Sequence, residues 1–153
     1  MSLCLCAILA VSAPAWASIH KYPEAGDRVM FRSVQSLRDA DGKAWQVVLY
    51  KRVKSGTVNS LNLRVVGFPG TELIHPAALT VAAGKTEIGK ANDIWHESDL
   101  PVNVGEYDFQ QIATKLQSNR PVRLNLPVKD TEETELLVPP FAVREWRLLS
   151  DKS

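Results

Sequence analysis

At 153 residues, 45% hydrophobic and 23% charged, the chain is sized for one domain with a real core, and it contains no internal repeat and no low-complexity segment. Its 18 Lys and Arg against 17 Asp and Glu, with no interleaved basic–aromatic stretch, speak against nucleic acid as a partner. Both cysteines, Cys4 and Cys6, lie close to the start.

Leu3 to Val11 is a short apolar run, followed by Pro14 and the small-residue triplet Ala15-Trp16-Ala17. That pattern predicts a signal peptide over residues 1–17, with cleavage before Ser18. The run is too short to span a bilayer, which takes about 20 apolar residues. The segment opens without Lys or Arg, so either the signal is minimal or the true start lies upstream. Cys4 and Cys6 precede or interrupt the run, where a lipid-bearing cysteine would follow it. Removing seventeen of 153 residues leaves a cysteine-free domain of 136, residues 18–153. Such a domain has no disulfide, no Cys-ligated zinc and no iron–sulfur cluster, and its core alone must hold it.

Charge is unevenly spread along this domain. Ser18 to Val66 holds nine Lys and Arg against four Asp and Glu; Gly67 to Ser153 holds nine against thirteen. Either the halves interleave in the fold and the charges mix, or the protein has a basic and an acidic face with which to orient on a charged partner.

In chain order, Ser18 to Asp27 reads as an irregular arm and Arg28 to Leu37 as a strand. Asp39-Ala40-Asp41-Gly42 is a turn, since Asp and Gly tolerate the backbone angles it needs. Ala44 to Lys54 is a second strand. Trp45, Val47, Leu49 and Val53 share one face, with Lys51 set among them. Ser55-Gly56 turns the chain into a third strand, Val58 to Phe68. This period-two alternation predicts a half-buried antiparallel meander. Ala78 to Ala82 and Thr86 to Ile88 read as a short hairpin, and Gly89 to Gly105 as a long surface loop. Glu106 to Gln117 is the predicted amphipathic helix, with Phe109, Ile112, Ala113 and Leu116 as its apolar stripe. Pro121 to Val128 reads as a strand at a sheet edge, because of Pro127. Asp130 to Glu133 is a turn and Glu135 to Val138 a strand. Phe141 to Leu149 has both helical and strand spacing, and Pro140 tips it toward a short C-terminal helix.

Sites of chemistry are sparse. His20, His75 and His96 are scattered, and His75-Pro76 reads as a turn element. Asp93, His96, Glu97 and Asp99 form the nearest approach to a metal cluster, but a solvated acidic loop is the better explanation. Glu132, Glu133 and Glu135 read as a solvated patch. No nucleophile elbow, phosphate-binding loop or dinucleotide fingerprint is present. Trp45 and Trp146 read as core. Trp95, in the polar loop, reads either as a contact anchor or as a residue tucking the loop onto the body. Phe68, in Gly67-Phe68-Pro69-Gly70, stands at a turn. Trp95, Phe68 and His96 are therefore the candidate partner contacts; no catalytic, cofactor-binding or metal-binding residue is assigned.

Several stretches together resemble a cyanobacterial family of exported proteins known as domain of unknown function 3122. They are Val29-Met30-Phe31-Arg32-Ser33, Gln35-Ser36-Leu37-Arg38-Asp39, Gly42-Lys43-Ala44-Trp45-Gln46 and Leu63-Arg64-Val65-Val66-Gly67-Phe68-Pro69-Gly70. His75-Pro76, Asn103-Val104-Gly105-Glu106-Tyr107-Asp108 and Leu137-Val138-Pro139-Pro140-Phe141 complete the set. The resemblance implies a photosynthetic bacterium and a periplasmic or thylakoid-lumen address, and it carries over no catalytic residue.

The expectation is one α+β domain of mainly antiparallel sheet, a small barrel or sandwich, with one amphipathic helix packed on it and a short C-terminal helix. The expected function is that of an exported non-enzymatic accessory protein that binds another protein, such as a membrane complex, without a cofactor. The alternative is a small-molecule or lipid carrier using a barrel interior.

Overall fold

The computed structural model describes residues 19–95, 100–131 and 134–152. The expected signal peptide and the expected contact His96, with Glu97, Asp99, Glu132 and Glu133, lie outside them. Two antiparallel sheets make up most of the described chain. The first comprises β1 (His20–Pro23), β2 (Arg28–Arg38), β3 (Ala44–Lys54), β4 (Thr57–Val66) and β7 (Val104–Asp108), in the order β1-β2-β3-β4-β7. The second comprises β5 (Leu79–Ala83), β6 (Thr86–Ala91), β8 (Val122–Leu126) and β9 (Thr134–Val138), in the order β6-β5-β8-β9. Two short helices, α1 (Gln110–Ala113) and α2 (Pro140–Ser150), complete the fold.

The meander has the longest ladders of the fold. β2 and β3 pair along their whole length, from Arg28↔Lys54 to Arg38↔Ala44. Asp39 sets that register. Its Oδ1 accepts from the amides of Asp41 and Lys43 at 3.0 and 2.9 Å, and its Oδ2 accepts from Trp45 Nε1 at 3.0 Å. Burial pushes the Asp39 carboxyl up, but these three donors and the nearby Lys43 charge outweigh it and hold the pKa below the usual 3.8. Gly42 closes the turn at φ 77°, a left-handed angle that favours glycine.

The inner residues of both sheets join one core. Trp45, Val47, Leu49, Leu63 and Val65 from the first sheet meet Leu79, Val81, Leu124, Leu136 and Val138 from the second. Phe109 meets Trp146 of α2 edge-to-face at 5.6 Å, and both are fully buried. Two isolated bridges, Leu73↔Val128 and Asp93↔Tyr107, tie the sheets along one side, and β2 approaches β9 on the other. The sheets keep separate ladders, so the barrel is not closed.

Several sequence expectations are corrected. Val104 to Asp108 is a strand, not the start of a long helix, because Tyr107 and Glu106 pair with Leu63 and Arg64. The helical turn is only Gln110–Ala113, opened by the Asp108 carboxylate accepting from the Gln110 amide at 3.0 Å. It closes on i→i+3 bonds from Lys115 and Leu116. The stripe Phe109, Ile112, Ala113, Leu116 is nevertheless buried as its spacing suggested. Pro121 to Val128 contains β8, which lies between β5 and β9, not at an edge; Pro127 follows the strand, where its missing N–H breaks no ladder. The arm at the start contains β1, and the supposed loop from Gly89 begins with the end of β6.

The ambiguous C-terminal segment is helical. Pro140 takes the first position of α2, where a missing N–H costs nothing. Lys51, alone among the inner residues of β3 in carrying a charge, is 3% exposed and donates to the carbonyl oxygens of Ser150, at 2.5 Å, and Lys152. A cation at the C-terminal end of a helix satisfies carbonyls with no intrahelical partner. Burial pushes the Lys51 ammonium below its usual 10.5, and the Asp151 charge opposes that shift.

Candidate functional site

Two constellations of side chains stand out. The first gathers residues from three separate stretches of sequence: His75, Asp93 with Trp95, and Tyr107. Asp93 bridges to Tyr107, the residue 94 amide donates to Glu106 O, and so residues 92–94 run along the free side of β7. Asp93 Oδ1 accepts from the Trp95 amide at 2.8 Å, and Oδ2 accepts from the Ala77 amide at 3.2 Å. His75 Nδ1 lies 2.7 Å from the same Oδ2. An ionised carboxylate only accepts, so Nδ1 carries the proton and Nε2 of a neutral ring is left as an acceptor. Trp95 stacks on the imidazole at 4.3 Å between centroids and 10° between planes. The side chains of His75 and Asp93 are 8% and 4% exposed.

Tyr107 completes the cluster. Its ring is fully buried, and its hydroxyl lies over Gly105, where an added Cβ would come within 2.7 Å of the oxygen. Burial, and then the Asp93 charge, pushes the phenol pKa well above its usual 10.0. Among the described residues, His75 Nε2, Trp95 Nε1 and Tyr107 OH have no hydrogen-bond partner. An aspartate that fixes a histidine tautomer is also what a catalytic base requires. Among the described residues no hydroxyl or thiol meets Nε2. The described residues bring together no group of three metal-ligating side chains.

The second constellation is the outer face of the first sheet. β1 to β4 all belong to the basic half of the chain, so the tertiary structure gathers that charge on one sheet. The alternation of β2, β3 and β4 turns Arg28, Arg32, Arg38, Arg52, Lys54 and Arg64 away from the core. The strand acids of this face are Glu106 and Asp108 on β7. Arg32 lies over the Tyr22 ring at 4.6 Å and donates to its hydroxyl at 3.0 Å. Arg52 and Arg64 flank the Tyr50 ring at 5.0 and 5.8 Å, which leaves Tyr50 only 6% exposed on an outward face. Burial raises the pKa of Glu106, which accepts from Arg64 at 2.8 Å.

The candidate contacts named from sequence fall elsewhere. Trp95 is half-buried against His75. Phe68 is half-buried, edge-on to Trp45 at 6.0 Å, with Lys43 Nζ 4.5 Å from its ring centroid. His96 is not among the described residues. The His75–Asp93 pair was not foreseen, because the two residues are eighteen positions apart with no helical spacing to link them. The cation–aromatic face was also missed: its pairs form across strands, and only the unequal charge of the two halves hinted at it.

These features define a class: a mainly antiparallel β domain of two sheets and two short helices, with a buried Asp–His pair at one sheet margin and an arginine-rich outer face. Residues 17–149 match the family described as "Protein of unknown function (DUF3122)", and the chain belongs to it. No curated protein and no solved structure matches the chain. Among the described residues no helix is long and apolar enough to cross a membrane.

Proposed function

We propose that this chain is an exported, non-enzymatic accessory protein of the periplasm or thylakoid lumen that binds another protein, such as a membrane complex. The observation that carries the reading is the gathering of the basic half of the sequence onto one sheet, with arginines held against tyrosine rings. A charged face with fixed side chains steers a partner of opposite sign and sets its orientation. The apolar run and small-residue triplet before Ser18 support export, and the family match begins at residue 17, beside that point. The carrier alternative has less support, because the space between the sheets is occupied by Trp146, Phe109 and the inner aliphatic residues.

Affinity purification of the mature protein from its native membranes tests the reading. Recovery of a stoichiometric protein complex is the expected result. Recovery of a bound lipid or pigment without a protein partner would transfer the function to the carrier alternative.

A further inference from the structure

The structure assigns the outer face of the first sheet, around Arg32, Arg52 and Arg64, as a receptor for the carboxylates of an acidic protein segment. This rests on the accessory-protein reading and names the chemistry of its partner. Each guanidinium lies against a tyrosine ring, Arg32 on Tyr22 and Arg52 and Arg64 on Tyr50. Stacking uses the π face and leaves the N–H edges of the fork free to donate. The side chains of Arg52 and Arg64 remain 40% and 41% exposed, whereas Arg32 Nε and Arg64 Nε are buried and unpaired among the described residues, so a partner meets the outer part of the fork. Holding the fork against a ring also removes much of the rotamer entropy that an exposed arginine would lose on binding.

The face already shows how it takes a carboxylate. Glu24 Oε1 accepts from Arg52 Nε at 3.3 Å, and Glu106 Oε2 accepts from a terminal nitrogen of Arg64 at 2.8 Å. Among the described residues Arg32 donates to the Tyr22 hydroxyl and meets no carboxylate. Charge on the face exceeds these internal acids, so a partner's carboxylates complete the pairing. A protein segment fits better than a phosphate-rich surface for a compositional reason. The cations are nearly all arginine and stand among Tyr22, Tyr50, Met30 and Val34, with Val34 38% exposed. Arginine, tyrosine and methionine are enriched in protein interfaces.

The test uses the mature chain and a fluorescein-labelled oligoglutamate peptide, read by anisotropy at low and at physiological salt. The wild type is expected to bind, with affinity falling as salt rises. The variant R32Q/R52Q/R64Q is expected to lose about tenfold or more, and R32K/R52K/R64K to lose part of that, because an ammonium keeps the charge without the fork. The single variants R32Q and R64Q, each checked for an unchanged thermal midpoint, show the same direction if the triple variant folds poorly. Absence of peptide binding, or equal binding by the glutamine variants, overturns the inference. So does binding to phosphatidylglycerol vesicles in place of the peptide. If R32Q/R52Q/R64Q still recovers the wild-type complex from native membranes, this face is not the receptor and the accessory role stands. If neither protein recovers one, both readings fall.

Discussion

Asp93 Oδ2 lies 2.7 Å from His75 Nδ1, in a pair eighteen residues apart that is closed over by the Trp95 ring. One carboxylate thereby fastens two segments, 75–77 and 93–95, through the His75 imidazole and the amides of Ala77 and Trp95. Removing the carboxylate leaves the His75 Nδ1–H and the amides of Ala77 and Trp95 without their acceptor, at about 1–3 kcal/mol for each that stays buried and unsatisfied. Asp93→Ala is therefore expected to lower stability by about 3 kcal/mol in urea unfolding. It should also shift the Trp95 contribution to the emission to longer wavelength as the stack opens. An unchanged urea midpoint would show that the pair holds nothing together.

Gly105 is needed for the room it leaves. A Cβ there would meet Tyr107 OH at 2.7 Å, Tyr107 Cε2 at 2.9 Å and Leu73 Cδ1 at 3.0 Å. Tyr107 is fully buried in the core and cannot swing away. Overpacking a core of native density costs about 1–3 kcal/mol. Gly105→Ala is expected at the upper end of that range, and Gly105→Ala with Tyr107→Phe, which removes the closest atom, is expected to recover part of the loss. Thermal unfolding of the three variants reads this directly.

Lys51 links the meander to the last helix across about a hundred residues of chain, through its bonds to the carbonyls of Ser150 and Lys152. Lys51→Met keeps the length and removes the donors, leaving those carbonyls without them. A loss of about 2 kcal/mol is expected, in line with hydrogen bonds from a charged group. Hydrogen exchange should show faster opening of the final turn of α2, with the β2–β3 ladder still protected.

Asp39 gives the pH dependence. Its folded pKa lies below the usual 3.8, so the folded state favours the ionised form. The contribution is fully present above the unfolded value and is lost as pH falls through the folded one. Asp39→Asn removes the charge and turns an amide donor or a weaker acceptor toward Trp45 Nε1. Wild type is expected to exceed the variant by about 1–2 kcal/mol above pH ~5, with the two curves converging below 3.8. A gap that stays constant down to pH 2 would assign the effect to shape alone.

Local pattern was legible where local forces decide. The Ala44–Lys54 strand was read to the residue, because alternation and the flanking turns fix it. The helix from Glu106 failed because Phe109, Ile112, Ala113 and Leu116 are buried at helical spacing for barely more than one turn, while Tyr107 and Glu106 are claimed by β4. Four apolar residues at i, i+3, i+4 and i+7 do not report whether the chain before them pairs with a distant strand. Pro127 misled for a related reason: it marks the end of β8, and its place in the sheet depends on β9, which comes later in the chain.

Of the candidate site, the sequence held the members but not the meetings. His75, Asp93 and Trp95 were each singled out, yet nothing in their spacing joins them, and Tyr107 gave no signal beyond a family motif. The arginines were visible as an excess of charge in the first half of the chain.

By itself the sequence determined the meander, its turns, the aliphatic core positions and the family, since these follow from short-range periodicity, turn chemistry and motif; it left the terminal segment between helix and strand. Tertiary structure alone decided that residues 92–94 lie along β7, that Lys51 reaches the end of α2, and that arginines from three strands share tyrosine rings on one face. The physical reason is that sheet pairing and side-chain burial are long-range: the partner that satisfies a strand edge, a carbonyl or a charge is chosen by packing of the whole chain, not by its neighbours in sequence.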